Sequence, residues 1–266
     1  MNIFFKELRS HAKSTIIWSI SLLLFVSMAM IKYDATSSVG GGMNELIKAM
    51  PKAFQSMLGL GYFDINTPIG FFAATFMYLI LLGAIHGAML GANILSAEER
   101  DKTSEFLMVK PITRNAVVLS KMCAAFVIIV IFNVVVALSS ISVVNGYGKG
   151  GETFTNDILL LMVGFFVVEL IFFVIGFFLS TVLRRSKFAP SLVTSILLIT
   201  FILSVLADMF ESVQWFKYFS PFSYFDPKVM LGFIDLNPIQ VTLGILTILV
   251  LGGLSFFFYN RRDLEI

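Results

Sequence analysis

Charged residues are scarce in this sequence. Asp, Glu, Lys and Arg make up 14% of its 266 residues, whereas 58% are hydrophobic and 29 are phenylalanine. A water-soluble domain of this length needs more polar surface than such a composition supplies. The scarcity of charge excludes a water-soluble globular protein and indicates an integral membrane protein.

Cysteine and several catalytic motifs are also missing. The single Cys123 cannot form an internal disulfide, and it is interpreted as a small buried hydrophobe in or near the third apolar run. The chain has no G-x-x-x-x-G-K-[ST] phosphate-binding loop, no H-E-x-x-H metal motif and no Ser-Gly dipeptide. An intramembrane aspartyl protease needs two Asp residues inside its spans, whereas Asp157 and Asp208 lie only near span ends. These absences argue against an enzyme.

Six apolar runs are long enough to cross a bilayer, which takes roughly 20 residues of helix. They fall near residues 14–31, 69–95, 115–144, 157–183, 188–207 and 239–259. The runs are continuous, whereas the strands of a β-barrel alternate in polarity. The predicted fold is an all-α membrane protein with six transmembrane helices.

Lys and Arg are distributed unevenly between the connections. If the N-terminus is cytoplasmic, 13 of the 19 lie on the cytoplasmic side and 6 on the other. Cytoplasmic connections are enriched in these residues. Both termini are therefore predicted to be cytoplasmic. The net charge of +2 reflects this asymmetry and not a surface for nucleic acid.

Two stretches outside the apolar runs are amphipathic. Residues 1–13 combine apolar side chains with cations, which predicts an N-terminal interfacial helix in which His11 is solvated. Residues 43–60 keep helical spacing of apolar side chains in the first outer loop. They predict an amphipathic extracytoplasmic helix, either a lid over the outer ends of the spans or part of a substrate site.

The second run contains a regular repeat of small residues. Gly83, Gly87 and Gly91 recur every four residues, and each is followed by alanine. Such a ridge lets the backbone of another helix approach closely. The repeat predicts a buried, central helix.

Four polar residues interrupt the apolar runs and are candidates for a translocation path: His86, Asn93, Asn133 and Glu169. Polar groups inside a bilayer are costly unless they are paired or face water. His86 fits an interhelical hydrogen bond, a substrate path or a proton-linked role. Asn133 is expected to bond to a neighbouring helix. Glu169 fits either a structural bond, with His86 as one candidate partner, or a place on the path.

The longest densely charged segment is 94–114, ILSAEERDKTSEFLMVKPITR, between the second and third runs. Ser96 followed by Glu99 fits a capping box, which predicts the start of a short helix. Pro111 disfavours helix at the preceding residue, so the segment is expected to turn before Arg114. Two interpretations remain open: a solvated loop with an excess of cations, or an element that a second protein grips at the membrane face.

The order of residues in this segment resembles the pattern of ATP-binding cassette type 2 (ABC-2) permeases. The residues that carry the resemblance are Glu98, Glu99, Arg100, Thr103, Glu105, Leu107, Pro111, Arg114 and Lys121. The six-span layout and several loops add to it, so the resemblance covers nearly the whole chain. Lys102 stands where the family often has glycine, which changes the expected backbone path at this point.

The resemblance implies a function and a set of partners. It implies the membrane-spanning subunit of an ATP-driven exporter in a bacterial cell membrane, working as a homodimer or with a related permease. The segment 94–114 would be a short cytoplasmic coupling helix that docks on a separate ATPase subunit. ATP and Mg would bind to that partner, while this chain would hold no cofactor or metal. Short loops favour export of a small hydrophobic molecule, an antibiotic or a peptide.

Two other functions stay open. A secondary transporter would use Glu169 and His86 for proton coupling, and an intramembrane enzyme would need catalytic motifs that the sequence lacks. Co-purification of an ATPase separates the exporter from both.

Overall fold

A computed structural model describes residues 3–37, 47, 49–51, 54–55, 62–100, 113–148, 151–183 and 185–261, except for the side chains at 98–100 and 186. In these residues the regular structure is helical throughout. The six long helices are α1 (Ile3–Ser37), α2 (Pro68–Arg100), α3 (Arg114–Asn145), α4 (Thr155–Val182), α5 (Ala189–Met209) and α6 (Pro238–Arg261).

Short helical segments connect the last three long helices. A 3-10 turn at Ser186–Phe188 joins α4 to α5. A 3-10 segment at Glu211–Phe219 and two single turns, Pro221–Tyr224 and Pro227–Met230, lie between α5 and α6.

Each of the six long helices is long and apolar enough to cross a membrane. This confirms the prediction of an all-α membrane protein with six transmembrane helices. The cytoplasmic location of both termini stays a prediction. Residues 3–13, predicted to form an interfacial helix, are the first turns of the continuous α1. The amphipathic helix predicted at 43–60 lies largely outside the described residues.

The core lies between α2 and α4. In each of these helices 61% of the most apolar window is buried inside the protein, compared with 11% in α6 and 17% in α1. Helix α1 packs mainly on α3, and α6 packs mainly on α4. The outer faces of α1, α5 and α6 are rich in exposed leucine, isoleucine and phenylalanine, as expected for helices that face lipid.

The small residues of α2 bring its backbone against α4. A Cβ atom added at Gly83 would collide with the Phe165 ring, and one at Gly87 or Gly91 would collide with the carbonyl oxygen of Glu169 or Phe173. The three facing residues of α4 are also four residues apart and rise in the same order. Helices α2 and α4 therefore run parallel, in a register that the glycines permit.

Two expectations from the sequence are wrong. Ser96 does not start a helix, because α2 continues through it to Arg100 and the Ser96 hydroxyl donates to the Ala92 carbonyl at 2.7 Å. A serine inside a helix commonly satisfies its hydroxyl in this way. Cys123 is exposed on α3 instead of buried. In a bilayer a small apolar side chain loses nothing by facing lipid, so hydrophobicity alone does not predict burial.

Candidate functional site

A buried polar cluster links the three central helices half-way along α4. His86 Nδ1 lies 2.6 Å from Glu169 Oε1, and Asn133 Nδ2 donates to Glu169 Oε2 at 2.7 Å. Glu169 is fully buried, and His86 and Asn133 are nearly so. Three of the four polar residues that interrupt the apolar runs thus meet at one carboxylate.

The register of α2 and α4 produces this cluster. Because Gly87 faces Glu169, the neighbouring His86 lies at the edge of the helix contact and reaches the carboxylate. Phe132 covers the imidazole, with ring centroids 4.2 Å apart, and Trp18 of α1 approaches its edge at 5.7 Å. The aromatic rings exclude water from the bond between His86 and Glu169, which strengthens it.

Asn93 does not join this cluster. Its Nδ2 donates to the Met89 carbonyl one turn back in α2. Asn93 instead lines a cavity of about 440 Å³ between α1 and α2, which His86 also lines. The structure therefore connects Asn93 to the buried cluster through a shared cavity and not through a direct bond.

A second buried polar cluster lies where the first turns of α1 and α3 meet the last turns of α2. The Lys121 ammonium, 1% exposed, contacts the Glu7 carboxylate at 3.2 Å and donates to the Ile94 carbonyl at 2.5 Å. His11 Nε2 lies 3.7 Å from Glu7. These contacts tie three helices together at the point where the charged segment 94–114 begins.

Sequence reasoning missed this cluster. Glu7 stands among cations at the N-terminus and looks like a solvated charge. Lys121 is one of the 13 cations assigned to the cytoplasmic side, although it lies inside the third apolar run, 115–144. A charged residue inside a span is a signal of a buried partner, and that signal was available for Lys121.

We expect Glu169→Leu to lower the stability of the protein by about 2 kcal/mol, because the change leaves the polar groups of His86 and Asn133 buried without their hydrogen-bond partner. Glu169→Gln keeps the shape and one acceptor oxygen, so its loss should be about half as large. Thermal unfolding in detergent measures both changes. Equal melting temperatures for wild type and Glu169→Leu would contradict the structural role of the cluster.

Comparison with known proteins gives the family. The family model for ABC-2 family transporter proteins matches residues 1–264, nearly the whole chain. The chain belongs to the ABC-2 transporter family. No curated protein matches it. The resemblance read from the charged segment is confirmed, and the ABC-2 protein is a multi-pass membrane protein of a transporter family.

Most of the coupling residues predicted for this ABC-2 protein lie outside the described part of the chain. These are Thr103, Glu105 and Pro111, together with the side chains of Glu98, Glu99 and Arg100. Arg114 is described. Its Nη1 donates to the carbonyl oxygens of Tyr259 at 3.4 Å and Asn260 at 3.2 Å, so the guanidinium caps the end of α6.

The opposite end of the ABC-2 bundle carries a charged cluster on the α5–α6 connection. Asp208 contacts the ammonium groups of Lys217 at 2.9 Å and Lys228 at 2.5 Å, and Lys228 also contacts Asp226 at 3.3 Å. Burial raises the pKa of Asp226 against the pull of the Lys228 charge. Burial alone would lower the pKa of Lys228, but the two carboxylates outweigh it and raise that pKa. The cluster fixes the end of α5 to the connection.

Proposed function

We propose that this chain is the membrane-spanning permease subunit of an ATP-driven exporter in a bacterial plasma membrane. A separate ATPase subunit binds ATP and Mg and powers it. The observation that carries the proposal is the family match over residues 1–264 of a sequence that has no phosphate-binding loop of its own. Two permease copies, or this chain and a related permease, complete the transporter, with the termini of this chain in the cytoplasm.

The coupling segment is 94–114, between α2 and α3. Its two ends are fixed to different parts of the bundle, which supports this role. At one end the Lys121 ammonium holds the Ile94 carbonyl, and at the other the Arg114 guanidinium holds the end of α6. Through these contacts, a displacement of the segment would move α2, α3 and α6 together.

Glu98, Glu99 and Glu105 make the contact with the ATPase in this proposal. Carboxylates on a short surface segment pair with cations on a partner, and such pairs orient the partner more than they bind it. Arg100, Thr103, Pro111 and Arg114 shape and anchor the segment. Closure of the ATPases around ATP then moves the segment, and the permease halves change between inward-facing and outward-facing states.

The cargo in this proposal is a small hydrophobic molecule, an antibiotic or a peptide. His86, Asn93, Asn133 and Glu169 are the candidates for its path. The described residues include a cavity lined largely by polar side chains beside His86 and Asn93, which supports a path on this side of α2.

The test is co-purification of the solubilised protein with an ATPase from its native membrane. We expect a P-loop ATPase to co-purify with the wild type. The triple variant Glu98→Ala, Glu99→Ala, Glu105→Ala should retain little of this ATPase and should show no ATP-driven transport.

The matched control replaces three exposed carboxylates, Glu152, Glu211 and Asp235, by alanine. These lie in connections at the opposite end of the bundle, so the control should keep the ATPase. Retention of ATP-driven transport in the first variant would overturn the assignment of the coupling residues. Failure of the folded wild type to bring down any ATPase would overturn the function.

A second candidate function is proton-coupled secondary transport. The observation that favours it is the bond of 2.6 Å between His86 and the fully buried Glu169. This function predicts transport without an ATPase that stops when the proton gradient is collapsed.

A further inference from the structure

The cavity between α1 and α2 has features that neither the coupling segment nor the core explains. Its volume of about 440 Å³ is that of a small-molecule site, for which roughly 300–1,000 Å³ is typical. The chain contains 2 histidines, and both His11 and His86 line this cavity. They come from different helices, 75 positions apart in the sequence.

His86 presents a hydrogen-bond donor to the cavity. Its Nδ1 is held by Glu169, and its Nε2 has no hydrogen-bond partner in the described part of the chain. Because net charge is costly inside a bilayer, the pair formed by His86 and Glu169 is favoured in its neutral form. In that form one proton lies between Nδ1 and the carboxylate and a second sits on Nε2, whether the pair is written as two ions or as two neutral groups.

The rest of the lining also favours a ligand that accepts hydrogen bonds. Ser14 contributes a hydroxyl, and Trp18 contributes one edge of an aromatic wall. None of the described residues that line the cavity is Asp or Glu. The two nearby carboxylates, Glu169 and Glu7, each contact a basic side chain. A protonated amine would thus meet no carboxylate at the surface of the cavity.

The position of the cavity indicates where the ligand comes from. Helix α1 lies on the outside of the bundle, and Ile17, one turn along α1 from the cavity-lining Ser14 and adjacent to it on the helix surface, is exposed. A molecule whose polar end occupies the cavity can leave an apolar chain along this surface, in lipid.

We propose that the cavity binds the carboxylate or phosphate end of an anionic amphiphile that enters from the bilayer. His86 Nε2 and the Ser14 hydroxyl donate hydrogen bonds to the anionic oxygens, and the apolar chain of the ligand lies along α1. As a statement about cargo this rests on the proposed function, because it names the class of molecule that the exporter would carry. As a statement about binding it needs no ATPase.

Tryptophan fluorescence tests the proposal. The chain has 2 tryptophans, and Trp215 lies far along the chain in the 3-10 segment before α6. A Trp215→Phe variant leaves Trp18, which lines the cavity, as the only reporter. We would titrate it in nanodiscs of neutral lipid with three brominated quenchers of identical chain: a fatty acid, a fatty alcohol and a fatty amine. We expect saturable quenching by the acid and only the linear, lipid-phase background with the other two.

Two variants in the Trp215→Phe background separate the cavity from the surrounding lipid. His86→Phe removes the donor, and Ser14→Leu fills the mouth of the cavity without touching Glu169. Both should weaken saturable quenching by the acid about tenfold, the loss expected for one hydrogen bond to a charged group. Ser27→Leu, at a serine on the opposite face of α1, is the matched control and should leave it unchanged.

The outcomes are distinct. Equal, unsaturable quenching by all three probes would overturn the proposal, and so would saturable binding of the amine in preference to the acid. If His86→Phe does not fold, Ser14→Leu alone decides. Saturable binding of the acid to a permease that never captures an ATPase would keep this inference and remove the proposed function. Capture of the ATPase by a protein that binds no acid would keep the proposed function and overturn this inference.

Discussion

Replacing Gly87 by alanine should lower the stability of the folded protein by about 3 kcal/mol or more, because it forces α2 away from α4. A Cβ atom at this position would collide with the carbonyl oxygen of Glu169 and lie 2.8 Å from its Cγ atom. The obstacle is backbone, so no side-chain rotation relieves it. The displacement would also stretch the bond from His86 to Glu169. Thermal unfolding in detergent, followed by size-exclusion chromatography, measures the loss.

The matched control is Gly252→Ala in α6. A Cβ atom at Gly252 meets no other atom of the described chain within 4 Å. The same chemical change should therefore leave the melting temperature unchanged or raise it slightly, because alanine favours helix more than glycine does. If the Gly87→Ala and Gly252→Ala variants have the same melting temperature, the contact between α2 and α4 is not a close backbone contact.

The second large effect is expected for Lys121→Met. This change removes the cation from the buried Glu7 carboxylate and the donor from the Ile94 carbonyl. Removing one partner of a buried ion pair typically costs about 3–5 kcal/mol, because the remaining charge stays buried. We expect a comparable loss here, measured by thermal unfolding. In the proposed exporter ATP-driven transport should also be lost, because the start of the proposed coupling segment is released.

A double-mutant cycle separates the ion pair from simple loss of packing. Glu7→Gln combined with Lys121→Met removes both charges and should recover part of the stability that Lys121→Met loses. Lys32→Met makes the same substitution at an exposed lysine of α1 and should be neutral. Additive losses in the cycle would show that Glu7 and Lys121 do not stabilise each other.

Local pattern was enough to predict the helices and the small-residue ridge. The spacing of Gly83, Gly87 and Gly91 predicted a close backbone contact, but it could not identify the partner, because any of five other spans was available. Residues on α4 that face the glycines recur with the same spacing, as Phe165, Glu169 and Phe173. Partner and register depend on how both helices pack at once, which is a tertiary property.

The polar cluster shows the same limit. The cost of polar groups in a bilayer singled out His86, Asn133 and Glu169 one by one. That all three meet follows from the register of α2 and α4 together with the position of α3, which no single run encodes. The prediction of a helix start at Ser96 failed for the opposite reason: a local capping pattern was overridden because α2 continues through Ser96 into Ala, Glu and Arg residues that favour helix.

The parallel contact between α2 and α4 limits how the protein can change shape. Two backbones packed this closely cannot slide along one another, because sliding would bring the backbone of α2 into steric clash with the next turn of α4. Helices α2 and α4 are therefore expected to move as one rigid body. A force applied at Ile94 is expected to turn both helices together and to leave the bond from His86 to Glu169 intact. Relative motion is then expected at contacts that side chains alone make, and the cavity between α1 and α2 lies at one such contact.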